Sequence, residues 1–230
     1  MQSSISLYNV LLQFFGKKES VQKVKAGSVL FHEKDPVQHI FILLKGSAAI
    51  GRVHVKGKEF IIKILNGREI LIEYQLFKEK PYYHFYAKAL TDCEFFMIKK
   101  DQFEDFVLKN PAVMNSLVAW MSTRYLKAQM KCQDLIMNGK KGGLYSILIR
   151  LSNSYGVVTE DGILIDLPLT HQELANLTYG TREVIQRALK ELREQDIISY
   201  DNQKITIKKL NFLKGEVDCQ NCSMEICGLN

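Results

Sequence analysis

The hydrophobic pattern of this chain changes near Lys100, and that change constrains the fold more than any other feature. Residues 25–100 carry short apolar or alternating runs that glycines and a proline separate. Short strands divided by glycine turns are typical of an all-β roll or barrel. Beyond Lys100 the apolar residues recur at helical spacing. The sequence therefore predicts an α+β chain with a short N-terminal helix and a β-roll, followed by helices.

A long helical run begins at Asn110-Pro111 and continues to about Asn138. Proline is favoured in the first turn of a helix, and this helix would be roughly 40 Å long at 1.5 Å per residue. Its apolar residues recur at spacings of three, four and seven, which favours packing against a second copy over a purely internal core helix. We predict a homodimer with a seam of Met114, Leu117, Met121, Ala128 and Leu135.

Glycines at positions 139, 142 and 143 surround two lysines and interrupt the helical pattern. Such a cluster indicates a hinge. The predicted domains are a β-roll with its N-terminal helix (1–105), a dimerisation helix and hinge (106–140), a C-terminal module (141–215) and a cysteine-rich tail (216–230).

Composition excludes several other classes of protein. No stretch approaches the roughly 18 consecutive apolar residues of a membrane span, and the N-terminus lacks a signal-peptide pattern, so we expect a cytoplasmic protein. Five cysteines, an odd number, argue against a secreted disulfide framework. The formal charge of +6 permits attraction to the phosphates of nucleic acids, but it does not by itself indicate that the protein binds them. We find no phosphate-binding glycine loop and no nucleophile–base arrangement, so we do not predict an enzyme, and an iron-sulfur redox protein is the less favoured alternative.

Two short helices around a tight turn are predicted in the C-terminal module. Thr170 and Glu173 form a capping box that opens the first helix. The tripeptide TYG ends that helix, and Thr181 begins the second. This order indicates a helix-turn-helix. Two strand-like runs around Asp201-Asn202 follow directly, which is the hairpin wing expected beside a recognition helix.

The outward face of the second helix carries side chains that can read double-stranded DNA. Arginine can bond guanine O6 and N7, glutamate can accept from cytosine N4, and lysine suits phosphate. The predicted DNA-binding residues are Thr181, Arg182, Glu183, Gln186, Arg187 and Lys190. A solvated charged face on an ordinary amphipathic helix would have the same pattern, but the adjacent wing favours DNA.

Three cysteines crowd into the last twelve residues, in the arrangement CxxCxxxxC. Soft thiolates at this spacing suit an iron-sulfur cluster or zinc with one further ligand. A thiol-disulfide pair with one spare cysteine is a third interpretation. The cysteines are Cys219, Cys222 and Cys227.

The segment LTHQELANLTYGTREVIQRALKELREQDIIS resembles the winged helix of the CRP/FNR family of bacterial regulators. The β-roll, the long helix and the hinge follow one another along the chain in the same order as in that family. The resemblance implies a dimeric transcription regulator with a cyclic-nucleotide-binding-like β-roll, in which Arg182, Glu183 and Arg187 read TGTGA half-sites. Gln186 and Tyr179 depart from the family pattern. An activator of this family would also contact RNA polymerase.

The family's β-roll commonly binds a cyclic nucleotide through a glycine-glutamate pair and an arginine beside serine or threonine. Here Ile72 precedes Glu73, and Tyr83, His84 and Phe85 stand near the missing arginine. A phosphate without that cation would lose a strong charge-assisted contact. We therefore expect no cyclic nucleotide.

The segment GKKGGLYSILIRLSNSYG and the cysteine tail together resemble the FNR-type regulators of Bacillus, which carry an oxygen-sensitive 4Fe-4S cluster at the C-terminus. The resemblance implies an oxygen-responsive, anaerobic regulator whose cluster is held by Cys219, Cys222, Cys227 and Asp134. Cys132 is the alternative fourth ligand, about 200° away around the helix. Only one of the two can face the tail, and we assign Cys132 to the dimer seam.

Overall fold

A computed structural model describes residues 6–16, 21–54, 57–219 and 221–229. The chain divides into two compact units that meet between Ser122 and Thr123. The boundary therefore lies inside the long helix and not at the glycine cluster. Among the helices of these ranges, none is both long and apolar enough to cross a lipid bilayer.

The N-terminal unit is the predicted β-roll, built from two four-stranded antiparallel sheets. Its strands are β1 (Val21–Val24), β2 (Val29–Phe31), β3 (His39–Lys45), β4 (Ser47–Val53), β5 (Glu59–Asn66), β6 (Glu69–Leu71), β7 (Tyr86–Ala89) and β8 (Cys93–Lys99). One sheet has the order β1-β8-β3-β6 and the other β2-β7-β4-β5. Ile42, Leu65 and Phe95 are fully buried in the roll. The apolar runs of the sequence thus form the inward faces of the strands.

Gly46 fixes the turn between β3 and β4. Its φ of +91° lies in the left-handed region, which glycine adopts without steric cost. A Cβ at this position would lie 2.4 Å from the carbonyl oxygen of Asp92. Only glycine fits this turn, which explains why a glycine separates the two apolar runs.

Three helices accompany the roll, namely α1 (Leu7–Phe15), α2 (Lys100–Lys109) and α3 (Pro111–Met137). The apolar face of α1 is buried, and the ring of Phe14 stacks on Phe106 of α2 with 4.0 Å between centroids. The long helix α3 is confirmed, with Pro111 as its first residue as the sequence predicts.

The first turns of α3 pack into the core of the roll, which corrects part of the predicted dimer seam. Leu117 is only 1% exposed and belongs to the core cluster. Met114 packs against the same cluster. Because Leu117 is buried by its own chain, it is not available to a partner. The prediction for this residue is wrong.

The exposed apolar stripe of α3 begins at Val118, one residue beyond the buried Leu117. Val118, Met121 and Tyr125 are exposed apolar side chains, and Ala128 is exposed as well. Leu135 is half-buried instead, since a Cβ built on Gly143 would lie 3.1 Å from its Cδ2 atom. Met121 and Ala128 are therefore the predicted seam residues that remain on the surface of the chain.

The C-terminal unit combines helices with one antiparallel sheet. Its helices are α4 (Gly139–Tyr155), α5 (His171–Leu177), α6 (Arg182–Glu194) and α7 (Leu210–Glu216), and its strands are β9 (Gly156–Thr159), β10 (Gly162–Ile165), β11 (Ile198–Asp201) and β12 (Lys204–Ile207). The sheet order is β11-β12-β10-β9. The helix-turn-helix and its wing are present as predicted, whereas β9 and α7 are not apparent in the sequence pattern.

The glycine cluster, predicted to be a hinge, lies at the start of a helix in the structure. Gly139, with φ of +61°, begins α4, and Gly142 and Gly143 lie inside this helix. A Cβ on Gly142 would lie 2.5 Å from the Cβ of Asn138. The glycines therefore allow a close approach at the junction of α3 and α4.

The capping box of α5 gives a stability test. The amide of Glu173 donates to the hydroxyl of Thr170 (3.2 Å), and the amide of Thr170 donates to the Glu173 carboxylate (2.8 Å). Replacing Thr170 by alanine removes the hydroxyl, so the amide of Glu173 loses its acceptor while the backbone amide of residue 170 still donates to the Glu173 carboxylate. We expect Thr170→Ala to lower the free energy of unfolding by about 1 kcal/mol in urea denaturation. Thr170→Ser is the matched control and should remain close to wild type; equal stability of the alanine variant would contradict the prediction.

Candidate functional site

The turn between α5 and α6 contains a tyrosine in a glycine-like conformation. Tyr179 has φ of +54°, whereas Gly180 after it does not have a positive φ. A left-handed residue with a Cβ costs roughly 1–2 kcal/mol. The ammonium of Lys131 on α3 lies 5.7 Å from the centroid of the Tyr179 ring, at the distance of a cation–π contact. This contact connects the turn to the end of the long helix within the same unit.

All six residues predicted to contact DNA are exposed on α6 or at its N-cap. Thr181 caps the helix, since the amide of Val184 donates to its hydroxyl at 3.5 Å. The opposite face of α6 is buried through Ile185, Ala188, Leu189 and Leu192. The helix is therefore held by its apolar face and presents its polar face outward. Whether that face reads bases stays a prediction.

Glu183 supplies a hydrogen-bond acceptor on the polar face of α6. Its carboxylate accepts hydrogen bonds from its own backbone amide and from the Thr181 hydroxyl, and these bonds hold its pKa below the ordinary value. The group is therefore ionised at neutral pH and can only accept hydrogen bonds. An obligate acceptor is what the amino group of cytosine N4 requires.

The wing is fixed to the body of the unit. Its turn residues Asn202 and Gln203 both have positive φ, the geometry of a tight two-residue hairpin. The hydroxyl of Tyr200 donates to the carbonyl of Leu169 at 3.0 Å. The ammonium of Lys204 lies 2.6 Å from the carboxylate of Asp166. These contacts hold the wing against the segment between β10 and α5.

A cavity of about 240 Å³ in the C-terminal unit collects the residues predicted to bind a metal. Its walls include Asp134 from α3, Arg150 from α4, and all three cysteines of the tail. Cys132 is exposed and is not among the described residues that line the cavity. The long helix thus directs Asp134, and not Cys132, toward the tail.

Arg150 is the residue of this cavity that sequence reasoning missed. It is 3% exposed, and both its Nε and Nη2 atoms donate to Oδ2 of Asp134, at 3.0 and 2.6 Å. Its Nη1 atom donates to the carbonyl of Ile226 at 3.3 Å. The only signal in the sequence was a charged residue within the apolar pattern LYSILIRL.

Two further hydrogen bonds attach the end of the tail to α4. Asn153 donates to the carbonyl of Cys227 at 2.6 Å, and the amide of Leu229 donates to the hydroxyl of Ser154 at 3.0 Å. Together with Arg150, these contacts hold the segment around Cys227 against one face of α4. The tail is therefore an ordered part of the unit across the residues that the structure describes.

Asp134 and the three cysteines of the tail are chemically suitable ligands for an iron-sulfur cluster or zinc. In the structure, however, these four side chains do not converge on one point. Within the described ranges, no three histidine, cysteine or acidic side chains converge closely enough to hold a metal ion. Burial raises the pKa of the Cys227 thiol, and the Arg150 guanidinium opposes this shift. Three soft thiols and one carboxylate on a single cavity are nevertheless ligands that such centres use.

The β-roll has a cavity of its own, of about 550 Å³, lined in part by Glu73, His84 and Phe85. Arg52 also lines it, a cation that the sequence pattern did not predict there. Its guanidinium lies 2.8 Å from the carboxylate of Glu33. The carboxylate of Glu73 pairs with Lys63. The absence of a cyclic nucleotide stays a prediction.

Comparison with known families gives two matches along the chain. Residues 21–110 match the family described as cyclic nucleotide-binding domain, and residues 144–215 match the Crp-like helix-turn-helix domain. The first match coincides with the roll and α2, and the second with α4 through α7.

Similar proteins cover the chain almost completely. The anaerobic regulatory protein of Bacillus subtilis (strain 168) is 39% identical over 228 residues, 99% of this chain and 94% of that protein. A global nitrogen regulator of Nostoc sp. is 31% identical over 192 residues, 82% of this chain and 85% of that protein. Both relatives are named as regulators, and neither is named as an enzyme.

A similar fold is present in the solved structure of a CooA mutant from Carboxydothermus hydrogenoformans. The TM-score is 0.75 at 19% identity, with 94% of this chain and 97% of that chain covered. The roll, the long helix and the winged helix-turn-helix are thus a known combination.

The half-buried thiol of Cys227 gives a pH-dependent test. Only the thiolate reacts with iodoacetamide. Because burial raises the pKa of this thiol, the midpoint of its alkylation rate against pH should lie higher in the folded, metal-free protein than in the urea-unfolded chain. Mass spectrometry of the Cys227 peptide measures both curves. Coincident midpoints would show that the thiol is not buried in solution.

Proposed function

Because the chain belongs to the CRP/FNR family of DNA-binding transcription regulators, we propose that it controls transcription in response to oxygen. In this proposal Arg182, Glu183 and Arg187 read TGTGA-like half-sites. A 4Fe-4S cluster reports on oxygen and is held by Asp134 and the three cysteines of the tail. The B. subtilis relative, named for anaerobic regulation, supports this assignment.

One observation carries the proposal. Asp134 and the three cysteines are separated by more than eighty residues of sequence, yet they line the same cavity. A packing role does not explain three thiols and a carboxylate at one place. When bound, the cluster supplies an oxygen-sensitive link between its ligands. The chain's own ligands come from α3 and from the tail, so they would join the long helix to the segment that follows the wing.

The proposed partner of α3 is a second copy of the chain. The exposed stripe of Val118, Met121, Tyr125, Ala128 and Cys132 has alternating spacings of three and four, as in a coiled-coil seam. In a symmetric dimer the two α6 helices would enter major grooves about 34 Å apart. This spacing accounts for recognition of a palindrome. RNA polymerase in the cytoplasm is the further partner that activation requires.

The DNA-reading assignment predicts different effects for two residues of α6. Arg187→Ala should weaken binding to a TGTGA-N6-TCACA duplex by about 1–3 kcal/mol and relax base preference. Lys190→Ala should reduce the slope of log affinity against log salt by about 1. Fluorescence anisotropy at several salt concentrations measures both.

Lys109→Ala is the control, because this exposed lysine pairs with Asp105 in the N-terminal unit. It should leave affinity unchanged. If Arg187→Ala weakened binding to a scrambled duplex as much as to the palindrome, Arg187 would contact phosphate and not a base.

The cluster assignment predicts the content of the anaerobically purified protein. Iron and acid-labile sulfide should be bound together in wild type and in Cys132→Ala, and should be lost from Asp134→Ala. Zinc without sulfide would instead support a zinc-stapled regulator of the same fold. Absence of metal with a disulfide in the tail would support thiol-based regulation. Either result would contradict the cluster proposal and would leave the assignment of the DNA-binding residues unchanged.

A further inference from the structure

Arg150 is a charged residue in the middle of an apolar helix. Arg150 is only 3% exposed, so its guanidinium has lost most of its hydration, and a buried charge is tolerated only where partners compensate it. Asp134 supplies the compensating charge, and the carbonyl of Ile226 supplies one further acceptor. The residue therefore holds α3 and the tail at the same time.

The two bonds from Arg150 to Asp134 converge on one oxygen. Nε and Nη2 both donate to Oδ2, and neither engages Oδ1. A carboxylate accepts through both of its oxygens, so this arrangement orients the group without occupying its second oxygen. Asp134 lines the same cavity as the cysteines.

Arg150 also sets the charge of the cavity. Among the described residues of its walls, Arg150 is the one cation, whereas Asp134, Asp218 and the three cysteines are anions or become anions when they bind a metal. Four negative ligands in a partly buried site repel one another. A fixed positive charge beside them reduces that repulsion.

We propose that Arg150 is the positioning residue of the metal site: it holds Asp134 through Oδ2 so that Oδ1 faces the cysteines, and it offsets the charge of the ligands. This inference rests on the proposed function, since it assumes that the cavity binds the cluster. Outer hydrogen-bond partners of metal ligands typically contribute roughly 10–100-fold to metal affinity.

The test compares full-length variants reconstituted anaerobically with ferrous iron and sulfide. Iron, sulfide and visible absorbance are followed while an iron chelator competes. Arg150→Gln should lose its cluster about 10-fold faster than wild type or more. Arg150→Lys keeps the charge without the planar fork and should fall between the two. Arg52→Gln, which breaks an ion pair of the β-roll, is the control and should match wild type.

A double-mutant cycle separates positioning from general support of the fold. If Arg150 acts through Asp134, Arg150→Gln should add little to the loss already caused by Asp134→Asn. Full additivity of the two losses would overturn the proposal. Thermal unfolding of the metal-free variants shows which of them fold. If Arg150→Gln does not fold, Arg150→Lys carries the comparison, with retention equal to wild type as the contradicting result.

The remaining outcomes also decide the question. Wild-type retention in Arg150→Gln would make Arg150 a structural residue only. Tighter retention would show that Arg150 competes with the metal for Asp134. Both results overturn the positioning role and leave the proposed function standing. A wild-type protein that binds no iron and sulfide overturns the cluster proposal and the role of Arg150 together.

Discussion

The ion pair between Asp134 and Arg150 is the interaction on which the candidate metal site depends. It connects the end of α3 to α4, and Arg150 extends the connection to Ile226 beside Cys227. Because the guanidinium is buried, loss of either partner leaves a charge without compensation. The pair therefore specifies one arrangement of helix and tail, and it does so in the chain itself, before any metal is considered. The packing of the winged helix uses other residues, chiefly the apolar face of α6.

Local features were predictable because each is determined by neighbours in sequence. The glycine turn at Gly46, the capping box of Thr170 and Glu173, and the outward face of α6 each depend on a few adjacent residues. The shared cavity of Asp134 and the cysteines was anticipated from family resemblance, since spacing alone left iron-sulfur, zinc and disulfide chemistry open. Helical periodicity further indicated that Asp134 and Cys132 face different sides of α3, as the structure shows.

Long-range packing was not predictable in the same way. A heptad pattern states that a face is apolar but not which surface covers it, so Leu117 was assigned to a partner although the β-roll buries it. A glycine in a sequence indicates either a flexible backbone or a close approach by another residue. Gly142 permits a close approach. Arg150 and Arg52 were missed because their importance comes from carboxylates at 134 and 33, which no local pattern connects to them. Tyr179 takes a left-handed conformation that side-chain preferences argue against.

The shared oxygen of Asp134 has a consequence for how this sequence can vary. A cysteine at position 134 would offer one sulfur to both the metal and Arg150, whereas the carboxylate offers a separate oxygen to each. An amide there would leave the guanidinium without its counter-charge. Because the buried arginine depends on this carboxylate for its counter-charge, we expect a loss of the carboxylate at position 134 to accompany a change at position 150. Co-variation of positions 134 and 150 in an alignment of related sequences would show which regulators have kept this site and which have replaced it.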